Sequence, residues 1–328
     1  MPKEPPLPSS RVSDDPPFSN TGIDFAGPLY TSDNGSKIYI CLFTCASTRV
    51  VHLQLVDSLS VTAFLQAFRR FAARSSLPAR LISDNAKTFK SAAKEVKSIG
   101  RSTEVQRFLA NKGIVWDFIV EKAPVHGGFW ERMIQSTKRC LRKSLGRTSM
   151  NFESLRTLLI EIEATINNRP LTYIYDDEER VWYPLTPSHL IYGRRIASEP
   201  SDRQFEIVST HKSLTKRAQY HKRLLEQFTN SWKREHLMSL RETSAFFHRP
   251  SKEIIQVRDI VLLRNECKPR AFWKLAKVTE LVRGRDGAVR SAKILCLTSS
   301  KEKTTELRRP VQHLVPLELR AGPELPDM

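Results

Sequence analysis

Three apolar segments crowd the first third of this chain, and their spacing limits its topology more than any other feature. Thr21-Gly22-Ile23-Asp24-Phe25 is the first, KIYICLFTCA over 37–46 the second and TRVVHLQLV over 48–56 the third. β-branched and aromatic residues dominate them, so each reads as a strand. The links leave no room for a crossover helix, which predicts an antiparallel meander. Gly27-Pro28 interrupts the first segment.

The period then changes. Asp57-Ser58-Leu59-Ser60 offers N-cap residues, and Phe64, Leu65, Phe68 and Phe71 recur at helical spacing over 61–74. Leu77-Pro78 stops that helix. A short strand follows over 79–83, then helices over 86–97 and 101–111, a strand over 114–120, and helices over 129–145 and 152–167. The order β-β-β-α-β-α-β-α-α predicts an α/β layer architecture, a mixed five-stranded sheet with flanking helices.

Six of the first 17 residues are Pro, which marks residues 1–17 as an extended arm. The core is expected over 18–198, its last part, 171–210, Pro-punctuated and loop-rich. A helical linker is expected over 199–250. A small basic β-barrel is expected over 251–320, with Gly284-Arg285-Asp286-Gly287 as a hairpin turn.

The formal charge is +18, with +7 over residues 1–201 and +11 over 202–328. An excess this large points to a polyanionic partner such as nucleic acid. No apolar run reaches the roughly 18 residues of a membrane helix, and no apolar h-region follows Met1, so neither a membrane span nor a secretory signal is expected. The five cysteines form no C-x-x-C pair, and a reducing compartment is expected.

Three acids stand out by context. Asp24 lies mid-strand, where Asp is disfavoured and where a buried carboxylate needs a partner or a metal. Asp84 ends a strand, where α/β folds place functional groups. Glu131 opens a helix just after Gly127-Gly128. Singly, each also reads as an ordinary turn, cap or first-turn residue. Together, three close carboxylates would repel one another, and hard divalent cations relieve the conflict. Two such ions about 3.5–4 Å apart suit in-line phosphoryl transfer. Along the helix, Glu131, Gln135, Lys138 and Arg142 share one face, suited either to DNA phosphates or to plain solvent exposure.

At these residues the chain resembles a known family. TGIDFAGP at 21–28, SDNAKTF at 83–89 and HGGFWER at 126–132 are similar to the integrase core of BEL/Pao-type LTR retrotransposons. TRVVHL at 48–53, NNRPL at 167–171 and LTPSHL at 185–190 support the likeness, which covers about 16–195. The tail, with Trp273 and Arg309-Pro310-Val311, resembles the domain that follows that core. The resemblance implies an RNase H-like fold and a catalytic, metal-holding triad of Asp24, Asp84 and Glu131. It implies Mg²⁺ or Mn²⁺, two ions, that serve first to trim the 3′ end of element DNA and then to join it to host DNA. Gln135, Lys138 and Arg142 are then expected on the DNA, the partners are double-stranded element ends and target DNA, and a homo-oligomer in the nucleus is expected. Ala86 stands where retroviral relatives carry Gly, and Glu131 follows Asp84 by 47 positions, room for an extra helix. No H-x₃₋₅-H with C-x₂-C pattern is present, so no zinc site is expected. An RNase H-type nuclease and a non-catalytic DNA-binding derivative stay open as alternatives.

Overall fold

The computed structural model describes residues 15–33, 35–83, 98–99, 101–118, 135, 137–145, 150–176, 181–194, 212–247, 255–263, 274–284, 289–297 and 305–317. The chain forms two compact units, residues 1–167 with 197–228, and residues 168–196 with 229–328.

The first unit is built on β1 (Asn20–Tyr30), β2 (Lys37–Cys45), β3 (Val51–Val56), β4 (Arg80–Ser83) and β5 (Val115–Phe118). Their order in the sheet is β3-β2-β1-β4-β5. The meander β1-β2-β3 is antiparallel, while β4 runs parallel to β1 and β5 parallel to β4. That mixed sheet, with β1 at its centre, is the RNase H-like arrangement. β1 runs beyond the expected 21–25 because the register shift between Ala26 and Leu29 absorbs Gly27-Pro28 and pairing resumes.

Helix α1 (Val61–Ser75) covers the sheet, opened by Ser60, whose Oγ accepts from the Ala63 N–H at 3.2 Å. Its Phe64, Phe68 and Phe71 are buried. Phe71 stacks on Phe43 of β2 with centroids 4.2 Å apart, and Phe64 meets Trp116 of β5 at 5.1 Å. These rings join the antiparallel and parallel halves of the sheet into one core. Helix α2 (Thr103–Ala110), capped by Ser102, places Phe108 edge-on to Phe68. The helix α3, seen over 137–145, buries Cys140, Leu141 and Leu145.

Helix α4 (Phe152–Asn167) matches its expected span and closes the open edge of the sheet. β3 is an edge strand, with backbone groups that lack a neighbouring strand. Glu163 and Asn167 lie four residues apart on α4, a rise of about 6 Å, close to the roughly 6.6 Å between alternate residues of a strand. They therefore match Val51 and Leu53. Asn167 accepts from the Val51 N–H at 2.9 Å and donates to the Val51 carbonyl at 2.7 Å. Glu163 accepts from the Leu53 N–H at 2.7 Å and meets His52 Nδ1 at 3.2 Å. His52 Nε2 in turn lies 3.0 Å from Gln54 Nε2, and Gln54 Oε1 accepts from Arg70 at 3.2 Å.

The second unit contains the hairpin β6 (Thr172–Asp176) and β7 (Val181–Leu185), the short helix α5 (Pro187–Tyr192), the second half of α6 (Lys212–Phe247), and strands β8 (Ile260–Leu263), β9 (Lys274–Arg283), β10 (Val289–Leu297), β11 (Thr305–Pro310) and β12 (Leu314–Pro316). The sheet order β11-β10-β9-β8-β12 is a meander whose last strand returns to its first. The antiparallel β9–β10 pair agrees with the hairpin expected at 284–287, residues that lie mostly outside those described. Register shifts fall at Val289/Ser291 and Lys293/Ile294, and Val261, Val278, Ala292, Ile294 and Leu314 pack together in one buried cluster. The opposite face is buried as well. Ile260, Leu262, Leu275 and Val315 pack with Leu240 of α6, against Leu237 and Tyr173. Burial on both faces explains why DIVLLR shows no alternation. It also explains why residues 168–196 cluster with this unit, although the sequence expectation carries the core through to 198.

Among the described residues, no helix is long and apolar enough to cross a membrane. Asn167→Ala would leave both polar groups of Val51 without their side-chain partner, at a cost of about 1–3 kcal/mol each at most. Urea unfolding is expected to find the variant about 1–3 kcal/mol less stable, while Glu153→Ala on the exposed face of α4 stays within about 0.5 kcal/mol.

Candidate metal and DNA site on the central strand

Asp24 sits in β1 with a strand on either side. Its partner in β2 is Leu42. On the other side, Ile23 pairs with Ser83, the last residue of β4. Ser83 is fully buried and accepts a hydrogen bond from the Trp116 indole at 3.0 Å, which ties the ends of β4 and β5 together. Asp84 is next in sequence after Ser83. Asp84 and Glu131 both lie outside the described residues, so of the expected triad the structure describes Asp24.

The Asp24 side chain is 29 % exposed. Its Oδ1 accepts from the Phe25 N–H at 2.7 Å. Its Oδ2 forms an ion pair with the ammonium of Lys138, itself only 18 % exposed. The central strand thus carries a half-buried negative charge that draws a cation, and α3 supplies one. This pairing spans a long stretch of sequence, and nothing in the residue pattern foretells it. The expected row on α3 is otherwise as the periodicity predicts: Gln135 and Arg142 are exposed, and Leu141 is buried on the neighbouring stripe.

Beside Asp24 a cleft opens between the irregular end of β1, β2 and α3. Phe25, Gly27, Tyr39, Leu141, Lys138 and Arg142 contribute to its lining. Gly27 holds φ +133°, and a Cβ there would meet Tyr39 Cδ1 at 3.1 Å and the Ile38 carbonyl at 3.2 Å, so the ring of Tyr39 lies where a side chain would otherwise stand.

Asp117, an acid on β5, pairs with Arg80 at 3.1 Å, and both side chains are about half exposed. It is a surface ion pair on β5. Among the described residues no three His, Cys, Asp or Glu side chains converge. The donor chemistry at Asp24 nevertheless fits a hard divalent cation: a carboxylate oxygen held by one backbone N–H while the other oxygen faces positive charge.

No curated protein matches the chain. A family profile described as "Family of unknown function (DUF5641)" matches residues 216–317, most of α6 and the second sheet. Among solved structures, the chain is similar to one in the simian T-cell lymphotropic virus intasome in complex with PP2A regulatory subunit B56 gamma. That match has 12 % identity over 98 % of this chain and 86 % of that chain, with a TM-score of 0.41. The HTLV-2 integrase catalytic core domain in complex with magnesium matches at 14 % identity over 54 % of this chain and 98 % of its own, TM-score 0.36. The catalytic core domain of BIV integrase matches at 13 % identity, over 53 % and 93 %, TM-score 0.35.

Cys41, fully buried on β2, reports on the charge beside it. Burial pushes its thiol well above the ordinary value of 9.0, and the Asp24 carboxylate pushes it further, with Arg70 opposing. A group whose folded value is raised holds its proton in the native state after the unfolded chain has released it. Its contribution is whole below about pH 9 and is lost as pH rises beyond it. Stability measured against pH is expected to fall less steeply above pH 9 in Cys41→Ala than in the parent chain, and equal slopes would contradict the assignment.

Proposed function

We propose that this chain is an integrase-like polynucleotidyl transferase of the BEL/Pao retrotransposon type, which trims the 3′ end of element DNA and joins it to host DNA. The observation that carries the reading is the position and partner of Asp24: a half-buried carboxylate on the central strand of an RNase H-like sheet, engaged by Lys138. Two further relations favour a shared site. Because Ile23 and Ser83 are register partners on neighbouring parallel strands, Asp24 and Asp84 each follow one member of that pair in the sequence. Lys138 follows Glu131 by seven positions in the sequence, and it reaches Asp24.

In this proposal Asp24, Asp84 and Glu131 hold Mg²⁺ or Mn²⁺ as a pair of ions. Bound there, the ions supply Lewis-acid activation of the attacking hydroxyl and relieve charge on the leaving oxygen. The protein's own groups do the positioning. The Phe25 N–H fixes one oxygen of Asp24 and so aims the other. Lys138 and Arg142, one turn apart on α3, offer positive charge to phosphates, and Gln135 adds a neutral donor on the same row. The partners proposed are double-stranded element ends and target DNA, and the acting form a homo-oligomer in the nucleus.

The decisive assay offers a blunt element-end duplex, target DNA and Mg²⁺ or Mn²⁺ to the full chain. Joined products are expected, and Glu131→Gln should cut them by more than about 100-fold, above the loss typical of even an outer partner of a metal ligand. Cleavage of RNA–DNA hybrids without joining, or joining that survives the substitution, would contradict the reading. In duplex binding, Arg142→Ala is expected to weaken affinity on every sequence and to reduce the salt slope by about 1; an unchanged slope removes Arg142 from the DNA contacts.

A further inference from the structure

Resting on the reading of Asp24 as a metal ligand, we infer that Lys138 is a positioning residue that changes partners: it neutralises Asp24 before a divalent cation arrives and then moves to a DNA phosphate, so that metal binding and DNA binding reinforce each other. Both oxygens of Asp24 are engaged, Oδ1 by the Phe25 N–H and Oδ2 by the Lys138 ammonium. A hard divalent ion seats itself within about 2.0–2.6 Å of a carboxylate oxygen, on the very group the ammonium occupies. Two cations at one carboxylate oxygen repel each other, and the repulsion on an ammonium from a doubly charged ion is twice that from a singly charged one at equal distance. The attraction to the carboxylate doubles likewise, so the divalent ion displaces the ammonium rather than the reverse.

The displaced side chain has a place to go. Lys138 also lines the cleft between β1, β2 and α3, next to Arg142 one turn along the helix. Its four-carbon stem is flexible, and a phosphate at the mouth of that cleft meets both cations. A phosphate that captures Lys138 removes the competitor from Asp24, and a metal on Asp24 releases Lys138 for the phosphate. The coupling is therefore reciprocal and positive.

Calorimetric titration of Ca²⁺ into the full chain, with and without a duplex oligonucleotide, measures it, alongside duplex binding with and without Ca²⁺. In the parent chain each ligand is expected to tighten the other by about 5-fold or more. Lys138→Gln should bind Ca²⁺ more tightly than the parent when DNA is absent, bind duplex more weakly, and lose the coupling. Lys138→Arg, which keeps the charge, should keep the coupling. A role confined to packing would weaken both ligands together, and one confined to phosphate contact would leave the DNA-free Ca²⁺ affinity unchanged; either result overturns the inference. Asp24→Asn separates the two levels: if it binds Ca²⁺ as well as the parent, the metal site itself is misassigned, whatever Lys138 does.

Discussion

A negative charge in the middle of the central strand is the constraint around which this fold is arranged. Strands at the centre of a sheet have no solvent edge, and an isolated carboxylate there carries a heavy desolvation cost. Asp24 meets the constraint through a backbone N–H on one oxygen and Lys138 on the other, while keeping about a third of its surface open. A residue that served packing alone would be cheaper as Val or Ile. The carboxylate suits a cation, and here the ammonium of Lys138 stands beside it.

The topology delivers the remaining elements to that point. An antiparallel meander puts β1 beside β2, and the first crossover, through α1, lays β4 parallel to β1 on its other side. Parallel pairing brings the C-terminal end of β4 level with the middle of β1, with Ser83 anchored by Trp116. At the far edge α4 closes the sheet with side-chain amide and carboxylate groups in place of a sixth strand. The aromatic stack of Phe43 on Phe71, with Phe18 edge-on at 5.1 Å, holds α1 against the same sheet. Rigid support of this kind lets one polar group be held at a fixed height in an otherwise apolar layer.

Much of the first unit was legible because its periods are clean. The Phe64/Phe68/Phe71 stripe and the span of α4 followed from spacing alone. The chain's departures from expectation have physical causes. The hairpin β6–β7 falls in a stretch read as loop, because Pro184 and the acidic run at 176–179 look like turn chemistry, whereas Tyr173 is held by burial against the second sheet. The second unit's buried helix residues gave no separate signal either, since a strand covered on both faces and a basic helix each look unremarkable until they meet. The basic charge of the tail is partly matched locally: on the exposed face of that sheet Lys293 pairs with Glu280, while Arg308 lies across from Lys293 with Ser291 as its hydrogen-bond partner. Of the candidate site, the place of Asp24 within a strand was readable from the sequence, but its pairing with Lys138 is a tertiary fact that no local pattern encodes.

The most direct test of the account is where a metal binds. Crystals of the chain grown with Mn²⁺ and examined at the manganese edge are expected to show anomalous density within about 2.2 Å of an Asp24 carboxylate oxygen, with oxygens of Asp84 and Glu131 completing the site. Density elsewhere, or carboxyl groups of Asp84 and Glu131 held more than about 10 Å from Asp24, a gap that ligation at about 2 Å cannot bridge, would contradict it.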